Sequence, residues 1–136
     1  MYMLDTNIVI YAMKHPKGAI MDKLLAHTAV DLCISTVTYA ELLIGVEKSA
    51  YSERNKALLT RFLFGVEIMD FDQEAAQHYA NIKVALQRQG MPVGDLDMMI
   101  AGHARSMGCV VVTNNRKHFD RIEGIVIEDW LNESRG

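Results

Sequence analysis

Residues 108–115 read Gly-Cys-Val-Val-Val-Thr-Asn-Asn, and this stretch decides the class of fold that the sequence predicts. A continuous β-branched run bounded by turn-forming residues is typical of a strand that is buried on both faces. Residues 95–107, just before it, carry apolar side chains at helical spacing, and glycine is common directly after a helix. We therefore predict a helix that leads directly into a buried strand.

The same alternation of strand and helix patterns continues outward from this stretch to both ends of the chain. The predicted strands cover residues 2–4, 32–34, 66–71, 109–113 and 125–127. The predicted helices cover residues 6–13, 19–27, 36–48, 52–64, 73–89, 95–107 and 117–121, with Ser35 or Thr36 and Asp72 as N-caps. Parallel strands need right-handed crossovers, which place helices on both faces of the sheet. We predict a single α/β domain over residues 1–136, a three-layer α/β/α sandwich with a mostly parallel sheet of about five strands.

Composition narrows the classes of function. The chain has 136 residues, of which 17 are acidic and 14 are Lys or Arg, so its formal net charge is −3. This balance excludes a histone-like protein that coats nucleic acid through bulk positive charge, but it permits a nucleic-acid enzyme with a local basic face. No apolar run reaches the roughly 18–20 residues that a membrane helix needs.

The cysteines and the N-terminal residues favour a cytoplasmic location. Cys33 and Cys109 each lie in an apolar, strand-like run, so we expect two buried, reduced thiols rather than a zinc site. The first residues show neither a basic segment nor a long apolar segment typical of a signal peptide. We therefore expect a cytoplasmic protein with no membrane contact.

Acidic side chains follow the predicted strands at the edge where chemistry is expected in a parallel sheet. Asp5 directly follows the first strand, Glu41 lies in the helix after the second, and Asp95 and Asp97 begin the helix before the fourth. Carboxylates gathered at one edge repel one another unless a cation neutralises them, and hard oxygen ligands favour Mg²⁺ or Mn²⁺. Such a site suits the hydrolysis of phosphodiester bonds.

Each of these residues also has a purely structural interpretation. Asp5 is a good N-cap, and Asp95 and Asp97 favour a helix N-terminus through its dipole. Asn115 is typical of a turn, whereas Glu41 among apolar neighbours is harder to explain as part of a solvated face. His103 on an apolar helix face is expected to be a packed imidazole. The residues after the fourth strand form a solvated basic face or contact RNA phosphates, and the candidates for that contact are Thr113, Asn114, Arg116 and Lys117.

Four segments of the chain resemble the motifs of VapC-type PIN-domain toxins. Residues 3–8 read Met-Leu-Asp-Thr-Asn-Ile, and residues 34–42 read Ile-Ser-Thr-Val-Thr-Tyr-Ala-Glu-Leu, with Gly45 after them. Residues 92–104 read Pro-Val-Gly-Asp-Leu-Asp-Met-Met-Ile-Ala-Gly-His-Ala, and residues 112–115 read Val-Thr-Asn-Asn, with Phe119 after them. All four motifs occur in the family's order across nearly the whole chain.

The resemblance implies a Mg²⁺-dependent endoribonuclease, the toxin of a type II toxin–antitoxin pair, which inhibits translation. Asp5, Glu41 and Asp97 match the catalytic and metal-binding acids, and Asp95 is at most a helper. Asn115 stands where many members have Asp, so Asn115 or the nearby Asp120 is expected to take the place of the fourth acid. The family also implies a homodimer and a VapB-type antitoxin that inserts a basic side chain among the carboxylates. The implied substrate is RNA, most narrowly initiator tRNA.

Two other interpretations stay open at this point. A PIN-like module that binds RNA without cutting it is consistent with Asn115 in place of an acid. A receiver-like signalling domain also carries carboxylates at its strand ends, but it needs a lysine after its fifth strand, and no Lys-Pro pair follows any late strand of this chain. Metal-dependent cleavage of tRNA, abolished by EDTA, separates the nuclease from both alternatives.

Overall fold

In the part of the chain that the structure describes, five strands form one parallel sheet. A computed structural model describes residues 1–27, 31–91 and 93–131, so Pro92 of the third motif and residues 132–136 of the predicted domain lie outside the described residues. The strands are β1 (Tyr2–Leu4), β2 (Leu32–Ser35), β3 (Glu67–Met69), β4 (Val110–Val112) and β5 (Val126–Glu128). They pair in the order β3-β2-β1-β4-β5, and every pairing is parallel. The prediction of a mostly parallel sheet of about five strands is confirmed.

Helices cover both faces of the sheet, as the crossover rule requires. In the described part of the chain they are α1 (Thr6–Lys14), α2 (Ala19–Leu25), α3 (Thr36–Lys48), α4 (Ser52–Leu63), α5 (Gln73–Arg88), α6 (Asp95–Met107) and α7 (Arg116–Phe119). Helices α1 to α4 pack on the face that carries Leu4, Ile34 and Val112. Helices α5 to α7 pack on the opposite face, which carries Met3 and Val111. Neighbouring residues of one strand therefore belong to different cores, which confirms the three-layer sandwich.

Local capping sets several of the helix ends where the sequence predicts them. Ser35 accepts a hydrogen bond from the N–H of Val37 at the start of α3, and Asp72 accepts one from the N–H of Ala75 at the start of α5. Gly108 ends α6 with a φ of +68°, a left-handed conformation that glycine adopts without strain. These caps depend only on residues close in sequence, so the pattern predicts them well.

Many predicted element bounds differ from the structure by one or two residues, and those of β3 and α7 are examples. Strand β3 stops at Met69 instead of residue 71, because the N–H of Phe71 donates to the Thr36 hydroxyl and leaves the sheet. Helix α7 begins at Arg116 instead of residue 117 and ends at Phe119. Cys33 and Cys109 are both buried and unbridged, as predicted. Within the described residues, no helix is both long enough and apolar enough to cross a membrane.

Candidate active site

The candidate site lies where the strand order reverses. From β1 the chain adds β2 and β3 on one side and later β4 and β5 on the other, so a crevice opens beyond the carboxyl ends of β1 and β4. Asp5 follows β1, and its N–H donates to the carbonyl of Val112 at 3.1 Å. Thr113 follows β4, and its N–H donates to the carbonyl of Glu128 at 3.0 Å. Backbone pairing thus places Asp5 and Thr113 side by side at the crevice.

Asp5 is a buried carboxylate held by neutral donors. Only 2% of its surface is exposed. It accepts hydrogen bonds from the N–H of Ile8, at 2.9 Å, and from the Thr113 hydroxyl. The pKa of the Asp5 carboxyl is raised to about 6, chiefly by burial and in smaller part by the negative charges of Asp97 and Glu41, while the hydrogen bonds from Thr113 and Ile8 oppose this rise. Asp5 is therefore both the N-cap of α1 and the centre of an acidic cluster, so its two interpretations hold together.

Glu41 reaches this cluster from α3. Its Oε1 accepts a hydrogen bond from the hydroxyl of Thr6 at 2.7 Å, and that hydroxyl lies 3.3 Å from the hydroxyl of Thr38. Helices α1 and α3 start from the ends of adjacent strands, which brings Thr6 and Glu41 together across 35 residues of sequence. Thr6 and Thr38 were not predicted as site residues, although each lies within one helical turn of a predicted site acid.

Asp97 reaches the cluster from the first turn of α6. Its Oδ2 lies 2.8 Å from Nδ1 of His118 on α7, and the Asp97 side chain is half-buried. His118 was not predicted as a site residue, because nothing in the local sequence pattern links α7 to α6. The three matched acids, Asp5, Glu41 and Asp97, are thus brought to one edge of the sheet from three separate segments.

Asp95 is turned away from this cluster. Its Oδ1 accepts a hydrogen bond from the hydroxyl of Tyr79 at 2.9 Å and forms an ion pair with Nζ of Lys83 at 2.8 Å, both on α5. The Lys83 ammonium lowers the pKa of the Asp95 carboxyl, and the side chain remains 59% exposed. Asp95 therefore fastens α6 to α5, and the structure does not place it as a helper of the acidic cluster.

The residues after β4 occupy different positions. Thr113 is a correction to the predicted RNA contacts, because it is fully buried and its hydroxyl is bonded to Asp5 and to the N–H of Asn115. Asn114, which precedes α7, and Arg116 and Lys117, which lie in it, are exposed and so accessible to RNA.

The two candidates for the fourth acid's place lie at opposite ends of α7. Asn115 is its half-buried N-cap residue, and Asp120 is its exposed C-cap residue. The acidic charges that act on Asp5 are those of Asp97 and Glu41. Which of Asn115 and Asp120 stands in for the fourth acid therefore stays a prediction.

Comparison with known proteins agrees with this geometry. The PIN domain family matches residues 2–125. This chain is 47% identical to the tRNA(fMet)-specific endonuclease VapC of Salmonella typhimurium and 44% identical to that of Shigella flexneri. Both alignments cover 95% of this chain and 97% of the relative. The chain belongs to the PIN-domain family of VapC proteins.

A solved structure supports the same assignment. The DNA-bound VapBC of Salmonella typhimurium superposes on this PIN domain with a TM-score of 0.91 and 47% identity, covering 95% of this chain and 97% of that one. The family match makes the receiver-like interpretation wrong. The PIN fold itself confirms the fold class predicted from the strand and helix pattern.

The cluster of this PIN domain has the donors that a hard divalent cation requires. Asp5 is a buried carboxylate beside two further carboxylates, and the hydrogen bonds that stabilise it come from uncharged groups. Within the described residues, no three acidic or imidazole side chains already converge on one point as a metal site. One carboxylate oxygen of Glu41 is already bonded to Thr6, and one of Asp97 to His118. An ion would therefore bind their other oxygens or require small rotations of these side chains. Oxygen-only donors favour Mg²⁺ or Mn²⁺.

His103 is a packed imidazole, as predicted. It is 1% exposed, its Nδ1 lies 2.8 Å from the Ser35 hydroxyl, and its ring packs edge-to-face against Phe71. Burial lowers the pKa of His103, which favours the neutral ring. Because Ser35 caps α3 and His103 lies on α6, this bond fixes the helix of Glu41 relative to the helix of Asp97.

Asp95 and Asp97, in the first turn of α6, have different surroundings, so their substitutions are expected to affect RNA cleavage differently. Asp95→Asn is expected to keep the cleavage rate within about threefold and to leave the folded protein almost as stable as the wild type, because an exposed ion pair contributes little. Asp97→Asn is expected to lose cleavage. Rates measured side by side at saturating Mg²⁺ test this, and equal losses in both variants would contradict the placement of Asp95.

Proposed function

We propose that this PIN domain is the toxin of a VapBC-type module, a metal-dependent endoribonuclease that hydrolyses RNA phosphodiester bonds and so inhibits translation. The observation that carries the proposal is the buried Asp5 carboxylate, whose pKa is raised by burial and by the neighbouring Asp97 and Glu41. Gathering three acids in a crevice destabilises the free protein, and a cation bound there offsets their repulsion. The carboxyl edge of a parallel sheet is also where such folds bind their ligands.

The chain's own residues would divide the work at this site. Asp5 and Asp97 would hold Mg²⁺ or Mn²⁺, and Glu41 would help to orient the ion or the attacking water. When bound, the ion supplies Lewis-acid polarisation of the phosphoryl oxygen and lowers the pKa of its water. Thr113 keeps Asp5 oriented, and Thr6 keeps Glu41 oriented, so both acids are pre-positioned before substrate arrives.

The substrate proposed for this site is tRNA, and most narrowly initiator tRNA. Support comes from the relatives at 44% and 47% identity, which are named as tRNA(fMet)-specific endonucleases. Asn114, Arg116 and Lys117 are exposed and lie within four residues of His118, which contacts Asp97, so they would contact backbone phosphates near the site. Local basic residues of this kind allow a chain of net charge −3 to accept a polyanion.

The partner proposed is a VapB-type antitoxin that places a basic side chain among the three carboxylates. The solved relative at 47% identity is a VapBC complex, which supports a partner of this type. A guanidinium fits because it pairs bidentately with carboxylates. Homodimerisation and a cytoplasmic location complete the proposal, and the mass of the purified toxin by light scattering tests the dimer.

Cleavage of defined tRNAs tests the function. Purified protein is incubated with initiator and elongator tRNA transcripts in Mg²⁺, in Mn²⁺ and in EDTA, with Asp97→Asn as the matched control. We expect cleavage of initiator tRNA with either ion, no cleavage in EDTA, and none by the variant. Binding of tRNA without cleavage by the wild-type protein, under every metal condition, would instead support the non-cleaving RNA-binding module.

A further inference from the structure

His118 contacts an acid of the cluster from a well-anchored position. Its Nδ1 lies 2.8 Å from Oδ2 of Asp97, and the two side chains are 48% and 24% exposed. The neighbouring residue, Phe119, is fully buried in the core that contains α6, so α7 is fixed against the helix that carries Asp97. The N–H of His118 also donates to the carbonyl of Asn115 at 3.0 Å. The contact therefore joins two anchored helices and does not depend on a long, free side chain.

The bond selects one of the two oxygens of the Asp97 carboxylate. Nδ1 engages Oδ2, and among the described residues Oδ1 accepts no hydrogen bond. A neutral imidazole with its hydrogen on Nδ1 is a sufficient donor, so the bond requires no charge on the ring. An aspartate held in this way has fixed its rotamer before any ligand binds, with Oδ1 left to receive a cation.

The first turn of α6 is thus held from two sides. Asp95 is bonded to Tyr79 and Lys83 on α5, and Asp97 is bonded to His118 on α7. Two residues along a helix differ in direction by about 200°, so these two contacts hold opposite sides of the same turn. The contacts of Asp95 with α5 fix the position of this turn, and the contact of Asp97 with His118 on α7 fixes the direction of the Asp97 carboxylate.

We propose that His118 is a positioning residue, which orients the Asp97 carboxylate so that Oδ1 binds the divalent cation. The inference rests on the proposed function, because it assigns Asp97 to metal binding. Outer hydrogen-bond partners of metal-ligating carboxylates commonly contribute a 10- to 100-fold change in metal affinity. His118 therefore acts on ion binding, whereas exposed Lys117 beside it acts on RNA binding.

Metal affinity without RNA tests this role. Mn²⁺ and Mg²⁺ dissociation constants are measured by calorimetry for the wild type, His118→Ala, His118→Asn and Lys117→Ala, and circular dichroism checks that each variant folds. Asn places its amide nitrogen near the position of Nδ1, so it keeps the donor. We expect affinity for both ions to weaken about tenfold in His118→Ala and to recover within about threefold in His118→Asn. Lys117→Ala should keep the metal affinity and raise the KM for tRNA.

Several results would overturn the proposal. One is unchanged metal affinity in His118→Ala, and another is an Asn variant as weak as the Ala variant. A loss of Mn²⁺ affinity with Mg²⁺ affinity intact would make the imidazole a direct ligand and not a positioning group. Wild-type protein that binds metal but cleaves no tRNA would contradict only the proposed function. The role of His118 would still be decided by the metal dissociation constants of the variants.

Discussion

Replacing Asp5 by asparagine is expected to abolish RNA cleavage and, at neutral pH, to make the folded protein more stable. Cleavage is lost because an amide removes the negative charge at the centre of the acidic cluster. An effect of several kcal/mol on the transition state corresponds to at least about a 1000-fold loss in rate. The fold is kept because an asparagine oxygen can still accept the N–H of Ile8 at the start of α1.

The stability gain follows from the raised pKa of Asp5. Burial raises the pKa of this carboxyl from 3.8 to about 6, so the folded state holds the proton more tightly than the unfolded state. The resulting contribution to stability is complete below pH 3.8 and is lost as the pH rises through 6. At pH 7.5 the ionised carboxylate therefore costs on the order of 2 to 3 kcal/mol, which the asparagine variant avoids.

Thermal unfolding of three proteins between pH 4 and pH 8 tests this. Asp5→Asn should unfold at a higher temperature than the wild type above pH 6, and the difference should shrink at pH 4. Asp5→Ala should fall below Asp5→Asn at every pH, because it loses a helix cap worth about 1 kcal/mol. Mg²⁺ should raise the melting temperature of the wild type only. An Asp5→Asn variant that is less stable than the wild type at pH 8 would contradict the cost assigned to the buried charge.

Replacing Gly102 by alanine is expected to be among the most destabilising single-methyl changes in the molecule. A Cβ at Gly102 on α6 would lie 2.7 Å from the backbone nitrogen and 2.9 Å from the Cα of Tyr79 on α5. The obstacle is backbone, so the two helices must separate instead of a side chain turning aside. Overpacking of this kind costs about 2 to 3 kcal/mol, or roughly 6 to 12 °C in melting temperature. Because α6 carries Asp97, the variant should also lose metal affinity.

Gly45→Ala is the matched control for this prediction. Gly45 lies in α3, and a Cβ there would meet no atom within 4 Å. Alanine in an exposed helix position stabilises by up to about 1 kcal/mol relative to glycine, so Gly45→Ala should melt at or above the wild-type temperature. Equal destabilisation in both variants would show that the close approach of α6 to α5 is not the cause.

The parts of the fold that the sequence predicted are those that depend on local or periodic chemistry. Ser35, Asp72 and Gly108 begin or end helices through hydrogen bonds between residues that are two to four positions apart, so their pattern is visible in the sequence. The end of β3 was not predictable in this way. It depends on a hydrogen bond between Phe71 and Thr36, which are far apart in the chain.

The same distinction between local and long-range contacts applies to the candidate site. Asp5 and Glu41 could be placed at the carboxyl edge from strand order alone, because both closely follow parallel strands. The hydrogen-bond partners of the acids could not be predicted from the sequence, because Thr6 contacts Glu41 and His118 contacts Asp97 only after separate helices have packed. The burial of Thr113 was also missed, because its hydroxyl turns toward Asp5 instead of solvent.

The sequence by itself determined the parallel α/β sandwich and the edge of the sheet where the acids gather, because strand periodicity and crossover handedness leave little choice. Only the tertiary structure decided what each acid contacts. Asp95 and Asp97 lie two residues apart, so they must point to opposite sides of α6, and local pattern does not say which side faces the crevice. Packing against α5 and α7 decides which acid faces the crevice, because Asp95 pairs with Lys83 on α5 and Asp97 contacts His118 on α7.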